Sequence, residues 1–224
     1  MMNWKQLISA KRFGMEEFHE ERQENRSEFQ RDYDRLIFSA PFRRLQNKTQ
    51  VFPLPGSVFV HNRLTHSLEV ASVGRSLGDD VAKALLERHP ELQDSFLPEI
   101  GSIVSAACLA HDLGNPPFGH SGEKAISTFF SEGKGVRLKE KQPNGEQLSP
   151  MEWEDLTHFE GNANAFRILT HQFEGRRKGG FVLTYTTLAS IVKYPFSSSL
   201  ARTKSKFGFF VSEEESFQKI ATEL

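Results

Sequence analysis

The sequence predicts an all-α fold, on three observations. Apolar residues recur at helical spacing from about Arg63 to Glu87. A second apolar run, Ile103 to Ala110, is bounded by Pro98 and Gly114, residues suited to the first turn and the stop of a buried helix. Strand signals are weak, and the best of them, Val182-Leu183-Thr184-Tyr185, is short.

The elements follow in order. Residues 1–30 are charged and weakly periodic, with Glu16, Glu17, Glu20, Glu21 and Glu24 among Arg22, Arg26 and Arg31, and read as an exposed, partly helical lead-in. The main domain is assigned to residues 31–224. Tyr33, Leu36, Ile37 and Ala40 mark a helix that breaks or bends near Pro41. Residues 48–56 are turn-rich and read as a loop. The long helix from Arg63 carries an apolar stripe of Leu64, Leu68, Ala71, Leu77, Val81 and Leu85, with small residues Ala71, Ser72 and Gly74 in its first half and Pro90 past its end. The next helix runs from about Pro98 to Leu113. Ser121 is the expected cap of a short helix to Phe130. Residues 131–149 read as a mobile loop, and Ser149-Pro150 as a cap with its first helical residue. A helix through Phe166 and Leu169, a basic turn from Gly175 to Gly180, a helix from Thr184 to Tyr194 and a loop from Ser197 to Lys206 come next. Ser212-Glu213-Glu214-Glu215 reads as a capping box opening a helix with Phe217, Ile220 and Leu224 on its apolar face. That helix lacks a terminator, which gives the expectation of a cut chain.

Composition narrows the class. The chain has 224 residues, 20 of them Phe against 3 Tyr and 2 Trp, enough to fill a sizeable core. A net charge of −1 offers no global argument for nucleic acid or membrane binding. Cys108 is the only cysteine and lies in the apolar run, so it reads as a buried, inert thiol. No segment reaches the roughly 18 apolar residues of a membrane span. The opening Met1-Met2-Asn3-Trp4-Lys5 has no signal-peptide core. The expected location is the cytoplasm.

Candidate chemistry centres on residues 110–123, where His111, Asp112, His120 and Glu123 share a Gly- and Pro-rich stretch. A buried helix that ends on His-Asp sets metal-capable side chains at the edge of a core. His66, near the start of the long helix, supplies a second imidazole. Two imidazoles and a carboxylate suit Mn²⁺, Mg²⁺, Fe or Zn²⁺. Any one of these histidines, taken alone, reads more often as a cap or packing residue; the combination carries the assignment. Ser121 as a cap would place Glu123 in the first turn beside His120, where a carboxylate fixes the imidazole tautomer.

The pattern His66…His111-Asp112 resembles the metal core of the HD-domain phosphohydrolase superfamily. Asp32 to Ser39, Phe42 to Phe52, Arg63 to Val70, His111 to His120, Phe159-Glu160-Gly161-Asn162 and Lys193-Tyr194-Pro195 resemble, in order, the deoxynucleotide triphosphohydrolase (dGTPase) family. The likeness covers about residues 25–224. It implies an HD-domain helical bundle and hydrolysis of a dNTP, dGTP favoured, at the α-phosphorus to a deoxynucleoside and tripolyphosphate. It implies His66, His111 and Asp112 as ligands of a divalent metal, Mn²⁺ or Mg²⁺ foremost. His120 is assigned proton transfer or in-line activation, with Glu123 orienting it. Arg63, Lys48, Arg43 and Arg44 are phosphate-contact candidates. Gln50 matches a position near the deoxyribose, Lys193 and Tyr194 match a substrate-lining word, and Asn115 would position water or the loop. His158 and Glu160 are candidates for support of the site. Homo-oligomers, hexamers among them, and single-stranded DNA are partners the family implies; a membrane is not.

The match departs in two places. The family completes its metal site with an Asp from a later half of a longer domain, and no residue here matches it. Asn164 stands where Gln is usual. The expectation is therefore an N-terminal fragment with three ligands. The alternatives are a metal- and nucleotide-binding regulator without turnover, or another HD phosphohydrolase.

Overall fold

The computed structural model describes residues 3–17, 26–49, 62–140, 147–175, 178–200 and 206–224. Gln50, His19, His61, Arg176 and Arg177, with the stretches 18–25, 51–60, 141–146 and 201–205 of the expected lead-in and loops, lie outside them. The described residues are all-α, without a strand: α1 Trp4–Leu7, α2 Glu28–Ile37, α3 Ala40–Arg44, α4 Arg63–Arg88, α5 Ile100–Ala110, α6 His120–Ser131, α7 Pro150–Thr157, α8 Gly161–Thr170, α9 Tyr185–Ile191 and α10 Glu214–Glu223. The strand signal at 182–185 yields only an isolated bridge, Arg12 to Thr184.

Local chemistry sets many boundaries. Ser39 caps α3 by accepting from the Phe42 N–H, and Pro41 sits in its first turn, so the expected bend is a clean break between α2 and α3. Ser149 and Glu152 form the reciprocal capping box that opens α7. Thr184 caps α9, which ends at Ile191, short of Tyr194. A 3₁₀ turn, Lys134–Lys139, occupies part of the expected loop at 131–149.

The centre of the molecule is the pairing of α4 with α5, and here the expected stripe is corrected. Leu77 and Val81 are 61% and 50% exposed. The buried face of α4 is instead Arg63, Ser67, Ala71, Gly74, Gly78 and Ala82. The reason is close approach. A Cβ on Gly78 would come within 2.8 Å of the Gly101 Cα, so the two backbones meet where side chains are absent. The Ser105 hydroxyl donates to the Ala71 carbonyl across the same seam. Burying Leu77 and Val81 would hold the helices apart. Leu64, Leu68 and Leu85 stay partly buried at the flanks.

Two further expectations change. The lead-in is not exposed throughout: Ile8, Ala10, Arg12 and Phe13 are buried. Arg12 donates to Asp32 Oδ1 at 2.7 Å and to the Val182 carbonyl at 2.6 Å, and pairs with Glu28 at 2.5 Å. Asp32 also accepts from the Thr184 N–H and hydroxyl. This network joins the N-terminal segment, α2 and the start of α9. The Ser212 capping box does not form. A 3₁₀ turn, Val211–Glu213, precedes α10, and Glu213 is its N-cap without a side-chain bond. Arg167 draws both side chains away, donating to Ser212 Oγ and Glu213 Oε1.

The far end of the chain is tied back to the lead-in. Lys219 pairs with Glu16 at 2.5 Å, and the buried Tyr185 hydroxyl donates to the same carboxylate. Burial alone would raise the Glu16 pKa; the Lys219 and Tyr185 hydrogen bonds outweigh it and pull the value from 4.5 down to about 2. A carboxyl with a depressed folded-state pKa stabilises fully above its unfolded value and loses that contribution as pH falls through the folded one. Urea unfolding at a series of pH values is therefore expected to show stability falling from about pH 4.5 toward pH 2. Glu16→Gln flattens that part of the curve, and an unchanged slope would remove Glu16 as its source.

Candidate metal centre

His66 lies in the first turns of α4, which Asn62 and Thr65 open with a reciprocal capping box. His111 is the C-cap of α5, and Asp112 begins the turn that leaves it. Each residue of this trio offers a ligand atom, and the three atoms lie within 4.8 Å of one another. The two imidazoles stand with ring centroids 5.3 Å apart. The His111 Nδ1–H donates to the Cys108 carbonyl at 2.6 Å, which leaves the Nε2 lone pair for the site. Cys108 itself is half-buried, and burial pushes its thiol pKa up, as an inert thiol requires.

Asp112 is held at both oxygens. Arg63 donates to Oδ2 at 2.8 Å and Asn115 Nδ2 to Oδ1 at 2.5 Å. Each oxygen keeps a lone pair, so these bonds orient the carboxylate without using it up. The N,N,O donor set, its spacing and the fixed His111 tautomer fit a divalent cation of the first transition row or Mg²⁺.

Beyond Asp112 the chain makes tight turns. Phe118 and Gly119 both adopt left-handed φ, 66° and 58°, which throws His120 into the start of α6. Gly119, not the expected Ser121, is the N-cap. Gly114 is needed where the turn passes α8, because a Cβ there would sit 2.1 Å from the Gly161 carbonyl. Asn164, the departure from Gln, donates its amide to the Gly114 carbonyl and pins the same turn.

His120 is 85% exposed in its side chain, and its Nδ1 donates to Glu123 Oε2 at 2.8 Å. Glu123 is nearly buried and accepts the Gly161 N–H on Oε1. Burial alone would raise the Glu123 carboxyl. The hydrogen bonds from His120 and Gly161, with the charge of Lys206, outweigh it and hold the carboxyl below its usual range. Arg63, His66, Asp112, Asn115, Gly119, His120 and Glu123 line one cavity of about 330 Å³. The structure thus brings seven residues from two separate stretches, 63–66 and 112–123, onto one opening. The Arg63 Nε is buried with no hydrogen-bond partner among the described residues.

Other expected site residues are placed elsewhere. Lys48 lies behind the motif turn, donating to the Leu113 and Asn115 carbonyls, and lines a different cavity of about 750 Å³ with Arg44. Burial, then the charge of Arg63, pushes its ammonium below the usual range. Arg43 is exposed. The Lys193 ammonium lies over the Tyr194 ring, 5.4 Å from its centroid, on an exposed turn. Tyr194 stands near enough to Lys206 to act on its charge. Glu160 joins the site through Lys206, whereas His158 remains bonded to its own helix end at Glu154. Lys206 and Gly161 are the site residues that sequence reasoning did not single out. Lys206 closes the loop expected from Ser197, and its signal in the sequence is the Phe-rich anchor that follows it, Phe207-Gly208-Phe209-Phe210.

An all-α fold with two histidines and an aspartate converging from a long helix and a buried helix end defines the class. A family model described as "HD domain" matches residues 63–194, and the chain belongs to the HD-domain family. Among curated proteins it is 47% identical over 229 residues to a deoxyguanosinetriphosphate triphosphohydrolase-like protein of Synechocystis, covering 98% of this chain and 51% of that protein. A protein of the same description from Pseudomonas aeruginosa is 46% identical, over 100% of this chain and 49% of its own length. A deoxyguanosinetriphosphate triphosphohydrolase of Yersinia enterocolitica is 36% identical, over 100% of this chain and 49% of its own length. The chain spans about half the length of these curated relatives. No helix among the described residues is long and apolar enough to cross a membrane.

Proposed function

We propose that the chain carries the metal-binding and proton-transfer half of a dNTP triphosphohydrolase, with dGTP the favoured substrate. The observation that carries the reading is one cavity lined by His66, Asp112, His120 and Glu123, with a ligand atom of His111 within 4.8 Å of those of His66 and Asp112. His66, His111 and Asp112 would hold the divalent metal, Mn²⁺ or Mg²⁺. When bound, that ion supplies Lewis acidity toward a phosphoryl oxygen.

The chain's own residues do the rest. Arg63 lines the cavity and donates to Asp112, and its guanidinium charge suits a phosphate group. Water adds at the α-phosphorus, the bond to the 5′ oxygen breaks, and a proton ends on that oxygen. His120, bound at Nδ1, moves a proton at Nε2, and the Glu123 carboxylate balances the charge the ring gains. Asn115 holds Asp112 in place. The family resemblance assigns Gln50 to the sugar, and Lys193 and Tyr194 to the phosphates and sugar. Homo-oligomers and single-stranded DNA as partners rest on the resemblance alone.

The test is incubation with each dNTP and Mn²⁺ or Mg²⁺, with the phosphate products separated by ion chromatography. Tripolyphosphate is the expected product. Pyrophosphate or orthophosphate would refute the reaction and favour another HD phosphohydrolase. Saturable dNTP binding with no release would identify a regulatory module instead.

A further inference from the structure

We infer that Lys206 is a positioning residue: its ammonium bridges Glu123 and Glu160 and thereby fixes the carboxylate that orients His120. The inference rests on the proton-transfer reading of His120 and goes beyond it. The Lys206 Nζ lies 2.7 Å from Glu160 Oε2 and 3.6 Å from Glu123 Oε2. Both carboxylates are nearly buried, with side chains 5% and 12% exposed. Their other oxygens are engaged: Glu123 Oε1 accepts the Gly161 N–H, and Glu160 Oε1 accepts the Asn162 N–H and side-chain amide. Two poorly hydrated carboxylates around one point repel, and loss of the cation between them removes one of the influences that lower the Glu123 pKa.

The consequence falls on His120. A protonated Glu123 would donate to Nδ1 instead of accepting from it, which reverses the bond and moves the ring proton to Nε2. His120 is largely exposed, so no packing shell would hold it instead. The charged or titratable groups that face Glu123 are His120 on its own helix, Lys206, Glu160, and across the cavity Arg63, His66 and Asp112. Among the described residues, Lys206 is the lysine or arginine within ion-pair reach of Glu123.

Lys206 is rigidly delivered. Phe207, Phe209 and Phe210 are buried immediately after it. The Gly208 N–H donates to the Phe196 carbonyl, and the Ser198 N–H to the Phe209 carbonyl. The backbone that follows the lysine is therefore clamped, which sets where its side chain starts.

The test compares the wild-type chain with Lys206→Met and Lys206→Arg, with folding checked by circular dichroism. Lys206→Met is expected to lower kcat for dGTP about 10- to 100-fold with KM little changed. Its acid limb moves to higher pH by about 1 unit or more, because a lost cation raises the Glu123 pKa. Lys206→Arg restores most of both. A raised KM with kcat intact, or a pH profile that superimposes on wild type, overturns the inference. If the wild-type chain hydrolyses no dNTP, the hydrolase reading fails on its own. Carbon-13 NMR of the Glu side-chain carboxyls, with Glu123→Gln assigning the signal, then decides. A Glu123 titration at higher pH in Lys206→Met supports the bridge, and an unmoved titration overturns it.

Discussion

On the proposed function, His111→Ala is expected to remove metal-dependent dNTP hydrolysis almost entirely. Loss of the metal forfeits several kcal/mol of charge stabilisation at the phosphoryl group. At about 1.36 kcal/mol per tenfold in rate, that is on the order of a thousandfold. The side chain is well placed for so large an effect. Its Nδ1 is committed to the Cys108 carbonyl, so Nε2 faces His66 and Asp112 in one fixed tautomer. The measurement pairs tripolyphosphate release with metal content of the purified protein. His66→Ala should reproduce both losses, since it removes the second imidazole from the other helix. Metal content and rate that survive both substitutions would refute the centre. Circular dichroism separates this outcome from damage to the end of α5, where the lost hydrogen bond lies.

Arg12→Ala is expected to cost about 3–5 kcal/mol of folding stability, the usual result of removing one partner from a buried ion pair. Domain stabilities are about 5–15 kcal/mol, so the loss is a large part of the whole. Asp32 is fully buried and Arg12 nearly so. Burial raises the Asp32 carboxyl, and the charge of Arg12 opposes that rise. Removing Arg12 leaves the acid to protonate or to remain uncompensated, and also frees the Val182 and Glu28 carbonyls. Urea unfolding followed by circular dichroism gives the value. The pair Arg12→Met with Asp32→Asn should recover part of it, because Asn still accepts from the Thr184 N–H and no buried charge remains. A loss below about 1 kcal/mol, as for an exposed pair, would show the network to be solvated in solution.

The two residues illustrate where the sequence was legible and where it was not. The cap at Ser149 acts within a few residues, and it reads correctly from the sequence. Ser212 and Ser121 carry equally good local signals and do not cap, because Arg167 takes one and Gly119 starts the helix before the other. Arg12 looked like one more charge in a polar lead-in; its partners are 16 to 170 residues away in the chain. Leu77 and Val81 share the helical spacing of buried residues, yet the neighbouring helix chose the glycine face.

The same division holds at the site. His66, His111, Asp112, His120 and Glu123 stand as candidates on residue type, order and the family resemblance, because ligand and proton chemistry admits few side chains and the motif supplies them close together. The helical class was equally open to reading, since a 3.6-residue period is a property of the chain itself. Only the tertiary structure decided that Arg63 serves Asp112, that Lys48 sits behind the motif turn, and that Lys206 bridges Glu123 and Glu160. Each is a long, flexible cation whose partner is chosen by whichever buried oxygen the fold brings within reach. That choice belongs to packing between distant segments, and no local pattern in the sequence records it.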